Sequence, residues 1–451
     1  MELAEEEPIS GLQEMRRGAL MAYDKETLHE RMTAYFDPEV NWATFAALAT
    51  GLSKDAGRFN PATTRSRLQE AETFDEARLK RYSLYPLDNR WCYYSSVRPL
   101  WNEPRPELVS QRADDESFLI VRRFAERPKE GRPAFFTSAL PDYHLLRPNV
   151  TAIPLRLRTS PVEGVSSDAR QSTMYDHLGG QNGTTANLSQ GARQYLALLT
   201  SANPDEDEGL SRVVWFHALA ILYAPLYLSE HASAVRANWP RIPLPATLAA
   251  LQHSAQLGIT VGQLLDMDSP ALGVTTGKLR KELNLLGRVS GPKKGLSLTI
   301  SAGWGHYQKE KDIVMPGRGI TTRREFIADE KNAIIEGAKD LEQAPDELMA
   351  LWGSHTLDIY LNNEAFWSNV PEAVWEYAVG GYQVLKKWLS YRERQVLGRD
   401  ITKDEAREFT HIVRRIAALL LLEPELDKNY AATKVSSHPW EVASPIPKGN
   451  Q

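Results

Sequence analysis

Cysteine is all but absent from this chain: Cys92 is the single thiol in 451 residues. That excludes an internal disulfide framework and a zinc site built on several thiolates. Long apolar runs are missing as well. The longest near the C-terminus, IAALLLL (416–422), falls far short of the roughly 20 residues a membrane-spanning helix needs. The first residues, MELAEEEP, are acidic and lack the basic and apolar regions of a secretory signal. No membrane partner is expected, and a cytoplasmic location is.

Catalytic signatures are missing too. No Pro-Pro dipeptide occurs, so the D/N/S-P-P-aromatic loop with which amino-methyltransferases hold a flipped base is absent. No F-x-G-x-G follows a strand, and G-x-x-x-x-G-K-S/T, G-x-S-x-G and H-E-x-x-H are not found. The 10 histidines are scattered. His217 and His231 fall in an apolar segment (209–239), where a hydrogen-bonded core role is favoured over metal ligation. PDYH (141–144) lacks the E-x-K partner of a nuclease centre. These absences leave no catalytic, cofactor-binding or metal-ligating residue to name.

What is present is an ordinary globular composition, 42% hydrophobic and 25% charged, with a formal charge of −5. The chain is too long for one compact core, so two or three packed units are expected. A negative total argues against indiscriminate attraction to nucleic acid, but its distribution is uneven. Between residues 278 and 325 stand eleven Lys and Arg, including Lys293 and Lys294, against four acids. The acids concentrate elsewhere, in the first eight residues and in PDEDEG (204–209). One basic side on an acidic protein is compatible with a DNA-facing surface, and equally with a solvated loop.

Hydrophobic periodicity divides the chain. Residues 1–80 read as helical, with DKETLHERMTAYF (24–36) opening on an acidic cap and placing Leu28, Met32 and Phe36 on one face. A β-rich unit is predicted at 81–158 from FLIVRRF, PAFFTSAL and VTAIPLRL. A Ser/Gly/Asn-rich flexible loop or linker at 159–191 leads to a helical unit at 192–284. Strands return at 285–330, with LSLTISAGW and DIVMPGRGI. A C-terminal helical unit spans 331–430, including 374–397 and 405–422, before a tail at 431–451. The fold class is α+β, combining β-rich units with helical ones.

The densest chemistry lies in YSLYPLDNRWCYY (82–94) and VRPLWNEPRPEL (97–108). Four prolines fix turns, tyrosines and tryptophans supply flat faces, and arginines supply forked donors that fit phosphate or a guanine edge. The same residues also fit a half-buried hairpin in which Asp88 and Arg90 pin a turn.

Three segments resemble the C-terminal target-recognition region of type ISP restriction-modification enzymes and related large adenine-N6 DNA methyltransferases. YSLYPLDNRWCYY resembles that family's Y-R-P-F-D-x-R-x-x-Y-Y, with Asp88, Arg90, Tyr93 and Tyr94 matching, although the second Arg and the Phe are replaced. LYAPLYLSEHASAVRANWPRIPLP (222–245) resembles its helix and P-R-I-P strap, through Tyr227, Pro240, Arg241, Ile242 and Pro243. VWEYAVGGYQVLKKWLSYR (374–392) resembles its Y-x-x-G-G-Y-x-x-L-x-x-W-L-x-x-R ending.

This resemblance implies a reader of double-stranded DNA that positions a duplex for adenine-N6 methylation. The methyltransferase, and any helicase or nuclease, would lie in other domains or subunits, and S-adenosylmethionine would bind only there. The residues expected to contact DNA are Arg90, Tyr93, Tyr94, Arg98, Arg241, Lys293, Lys294, Lys386, Lys387 and Arg392. A protein-docking scaffold is the alternative, since Trp, Tyr and Arg are also favoured at protein interfaces.

Overall fold

The computed structural model describes residues 2–48, 51–112, 116–126, 130–147, 149–158, 183–308 and 313–439. Most of the expected linker (159–191), Lys309, Lys311 and the end of the tail lie outside the described residues.

The aromatic segment folds as an antiparallel hairpin of β1 (Leu79–Tyr85) and β2 (Asp88–Tyr93). Met21–Ala22 extends the sheet beside β2, and Leu140–Pro141 joins β1 in parallel. A second sheet runs Ile9–Ser10, Thr151–Pro154, Phe118–Val121, Phe135–Thr137. All four residues of Phe118–Val121 are buried, which is why FLIV reads as a continuous apolar run and not as an alternation. Residues near the start of the chain thus contribute strands to both sheets. The helix Lys25–Phe36 packs beside them, its N-cap Asp24 accepting a hydrogen bond from the Thr27 amide at 2.7 Å. Leu28, Met32 and Phe36 are buried, as their spacing predicts.

In the helical middle, α1 (Glu208–Tyr223) packs along α2 (Leu248–Leu265). The apolar segment 209–239, within the unit expected to be helical over 192–284, is broken after Tyr223, because Pro225 cannot donate to the helical ladder.

The basic segment yields a two-stranded ribbon, β3 (Gly305–Gln308) with β4 (Ile313–Pro316). Beyond it β5 (Thr321–Glu325) enters a four-stranded sheet with His355–Tyr360, Phe366–Pro371 and Arg288–Ser290. LSLTISAGW (296–304) departs from the strand expected of it. Its backbone is bonded singly, Ser301 N–H to the Leu361 carbonyl and the Ile300 carbonyl to the Arg394 N–H, so no ladder forms.

The helix expected over 374–397 is interrupted as well. Gly380 and Gly381 both take positive φ, 55° and 86°, and close a tight hairpin between Ala378–Val379 and Tyr382–Gln383. Helix α3 (Val384–Arg392) starts only after it. The last helix, α4 (Lys403–Val435), begins with a Thr402/Glu405 capping box and buries Phe409, Ile412, Val413 and Ile416. Buried side chains from most of these elements, though not from the β3–β4 ribbon or β5, form one contiguous core. Among the described residues no helix is long and apolar enough to cross a membrane.

Candidate nucleic-acid interface

Two of the sequence motifs meet inside the protein. Asp88, at the start of β2, accepts Arg392 Nη2 on Oδ1 at 2.9 Å and Arg90 Nη2 on Oδ2 at 3.1 Å. Arg392 also reaches Glu408 Oε1 of α4 at 3.2 Å. Its guanidinium stacks on Trp388 at 3.8 Å from the ring centroid, and Tyr23 faces both arginines. Burial alone would raise the Asp88 carboxyl, but Arg392 and Arg90 overcome it and hold it at about 2. Arg90 and Arg392 were expected to touch DNA. Both are buried with anionic partners: Arg90 braces Asp88 within the first hairpin, and Arg392 joins that hairpin to α3. The half-buried hairpin pinned by Asp88 and Arg90 is the reading the geometry favours.

Tyr93 is likewise interior, its ring 5.5 Å from Phe36 and 5.9 Å from Phe74, and its carbonyl accepts the Trp101 indole N–H at 3.0 Å. That removes it from any surface contact set. Tyr94 is half-buried against Trp101. Arg98 is exposed and pairs with Glu103 at 3.2 Å. The arginine-aromatic cluster is therefore mostly a packed structural unit.

The P-R-I-P strap is fixed by its backbone. The Tyr227 hydroxyl donates to the Arg241 carbonyl at 2.9 Å and Tyr195 to the Pro245 carbonyl at 2.7 Å. The Arg241 side chain is left exposed. His217 Nε2–H donates to the Pro243 carbonyl at 2.8 Å, which leaves Nδ1 to accept from the Ser254 hydroxyl at 2.7 Å. Ser254 in turn accepts from Asn429. A Ser–His pair at this distance suits nucleophilic chemistry, but both residues have no exposed surface. Burial depresses the imidazole to about 4, and the arrangement is the core histidine that the sequence suggests.

The basic segment sorts differently. Four of its cations are consumed by acids: Arg280 by Glu282, Lys281 by Glu336 and Asp340, Arg323 by Glu372, and Arg324 by Glu330 and Asp358. Lys278, Lys293, Lys294 and Arg318 are exposed and make no ion pair among the described residues. Between Lys294 and Arg318 in sequence stands the ribbon. His306, Tyr307, Ile313, Met315 and Pro316 are all exposed. The register sets His306 opposite Met315 and Tyr307 opposite Val314. Neither face of the ribbon is therefore covered by a core, although it carries Tyr307, Ile313 and Met315 at 44%, 43% and 36% exposure.

Its base, by contrast, is rigid. Trp304 is fully buried and donates its indole N–H to the Tyr360 carbonyl at 2.7 Å. The Glu393 carboxylate accepts the Trp304 amide at 2.8 Å. A Cβ on Gly305 would lie 2.0 Å from the Ser390 carbonyl oxygen, so only glycine lets the ribbon sit directly on α3. The same helix that carries Arg392 into the buried cluster therefore supports the ribbon. Of the paired basics on α3, Lys386 is half-buried and Lys387 is enclosed by tyrosine rings.

Residues 9–418 match the model of the Type ISP C-terminal specificity domain. The chain belongs to this family. The specificity domain also aligns with two solved structures of much longer proteins. One is a nuclease-deletion mutant of the Type ISP restriction-modification enzyme LlaGI in complex with a DNA substrate mimic. The TM-score is 0.50 at 12% identity, over 95% of this chain and 33% of that one. The other is the ATP-dependent Type ISP enzyme LlaBIII bound to DNA, at a TM-score of 0.51 and 11% identity, over 93% of this chain and 23% of that one. At such identities the likeness concerns the fold alone. This specificity domain thus spans a third or less of those chains, and no curated protein matches it.

Sequence reasoning found the basic segment but not the uncovered ribbon within it. Tyr307, Met315 and His306 carried no motif, and only their lack of cover in three dimensions distinguishes them from core residues. A short apolar alternation flanked by Lys and Gly was the one available signal.

Proposed function

We propose that this specificity domain is the DNA target-recognition portion of a type ISP-like restriction-modification enzyme. It would hold duplex DNA while a methyltransferase domain outside this chain transfers a methyl group from S-adenosylmethionine to an adenine N6. Such a role belongs in the cytoplasm, where the DNA is. Helicase or nuclease domains would complete the assembly.

The observation that carries this reading is the β3–β4 ribbon, solvated on both faces and flanked by Lys293, Lys294 and Arg318. The major groove of B-DNA admits a two-stranded ribbon, and there each base pair presents a distinct edge. Tyr307, His306 and Gln308 supply polar groups for base edges, and Met315 and Ile313 suit a thymine methyl. The exposed lysines supply the phosphate contacts that set register without reading sequence. Arg98, Arg241, Tyr94 and Lys386 remain candidate contacts on other faces.

The test is a selection of bound duplexes from a randomised pool at about physiological salt, where base contacts must outcompete backbone attraction. Enrichment of one short asymmetric site supports the reading. The exposed apolar residues of the ribbon also fit the docking-scaffold alternative, and no enrichment by folded protein would favour it.

A further inference from the structure

Helix α3 carries a cationic feature that the ribbon does not use. The Lys387 ammonium lies 4.2 Å from the ring centroid of Tyr85, 4.8 Å from that of Tyr391 and 5.3 Å from that of Tyr382. Arg147 Cζ lies 5.1 Å from the same Tyr382 centroid. The rings are held without the cations: the Tyr85 and Tyr391 hydroxyls share a hydrogen bond at 2.8 Å, and Tyr382 donates to the His144 carbonyl at 2.9 Å.

Nearby carboxylates are committed elsewhere. Asp88 pairs with Arg90 and Arg392. Asp142 accepts the Tyr82 hydroxyl and the His144 amide, and Glu130 pairs with Arg122. No carboxylate among the described residues pairs with Lys387 or Arg147, and both are half-buried. Two like charges on one aromatic platform repel each other and are poorly solvated, so the free protein holds them at a cost that an anion would remove. A tetrahedral phosphate suits the pair, because the Arg fork and the compact Lys charge both match its oxygens.

We infer that Lys387 and Arg147 grip one phosphodiester group of bound duplex DNA above this floor of tyrosines. The inference rests on the DNA-reading role proposed above, and assigns a backbone anchor on the helix that also carries the ribbon. The surroundings make that grip sensitive to pH. Burial and Arg147 bring the Lys387 ammonium down to about 7, with Arg90 lowering it further and Asp88 opposing. The Tyr85, Tyr382 and Tyr391 hydroxyls are all pushed upward by burial and stay neutral there. His144 also faces this region, its Nδ1 3.4 Å from Asp142.

The experiment measures duplex affinity against salt and pH for the wild type, a Lys387→Met/Arg147→Met double variant and Lys387→Arg. Methionine keeps the packing stems while removing the charge. The salt slope of the double variant should fall by about 0.9, the release expected for one phosphate contact. Wild-type affinity should weaken from pH 6 to pH 8, while Lys387→Arg, which leaves His144 untouched, should lose that weakening. Duplex binding with an unchanged slope in a double variant that unfolds at the wild-type midpoint overturns the inference alone. So does an unchanged pH profile in Lys387→Arg, which decides the matter if the double variant misfolds. A wild type that binds no duplex overturns the DNA-reading role along with it. A parallel titration with inorganic phosphate separates the two sources: stabilisation of the wild type by phosphate, with no difference in duplex slope, would mean a site for free phosphate and not for DNA.

Discussion

Asp88 and Arg392 meet at 2.9 Å across 304 positions of sequence, with essentially no exposed surface on either side chain. The pair ties the first hairpin to the helix that supports the β3–β4 ribbon, so two segments that look like separate recognition motifs are halves of one buried ionic cluster. In a dry interior such a cluster contributes little net stability when intact, but its loss on one side leaves uncompensated charge.

Arg392→Met should therefore destabilise the fold by about 3–5 kcal/mol, because Asp88 loses one of its two guanidinium partners and Glu408 loses its ion pair. The urea midpoint of the variant measures this. Arg90→Gln should also lower the midpoint while leaving the salt slope of DNA binding unchanged; a smaller slope would return Arg90 to the interface. Acid tests the same cluster. The Asp88 carboxyl is held at about 2 in the fold, below its unfolded value. Its contribution is present above the unfolded value of about 3.9 and is lost as pH falls through the folded value, a change of about 2–3 kcal/mol.

His217 gives a second pH signature with a different window. Its folded value of about 4 lies below the ordinary 6.5, so the unfolded chain binds the extra proton first. The His217 contribution should be constant above pH 6.5, and stability should fall progressively between 6.5 and 4, by about 3 kcal/mol. His411 is depressed to about 4 by burial and its arginine neighbours and shares the window. His217→Gln isolates the strap histidine: the slope of stability against pH between 4 and 6.5 should shrink by its share, and an undiminished slope would remove His217 from the account.

Changing both Lys293 and Lys294 to Ala should weaken DNA binding at all sequences and lower the salt slope by roughly 1.8, two phosphate contacts' worth. Both are exposed and make no ion pair among the described residues, so the unfolding midpoint should not move. An unaltered slope would leave this loop outside the interface.

Tyr307→Ala and Met315→Ala should act on specificity. A lost base contact costs about 1–3 kcal/mol for the selected site over a mismatched one, while the salt slope and stability stay as they were. Equal losses on cognate and random duplexes would place these side chains on the backbone and not on the base edges.

Much of this was legible in the chain. Element type followed periodicity where a segment buries one face, as in Lys25–Phe36 with Leu28, Met32 and Phe36, and where an apolar run is covered on both faces, as in Phe118–Val121. The family resemblance was legible because its motifs are held by local and long-range contacts together. Three elements were misjudged where backbone detail overrides pattern, one of them the run over 209–239, which stops at Tyr223 before Pro225. Gly380–Gly381 turns the chain inside an otherwise helical stretch, and LSLTISAGW satisfies its backbone without a strand partner.

Which arginines and tyrosines are free was settled by the tertiary structure alone. Arg90, Arg392 and Lys293 are all strong cations in sequence, and composition does not rank them. Their availability depends on whether folding brings a carboxylate to them: Asp88 reaches the first two, and nothing among the described residues reaches the third. The sequence by itself determined the supply of chemistry, because side-chain identity and local periodicity are properties of neighbouring residues. The tertiary structure decided how that chemistry is spent, because ion pairing and burial depend on distances between residues hundreds of positions apart.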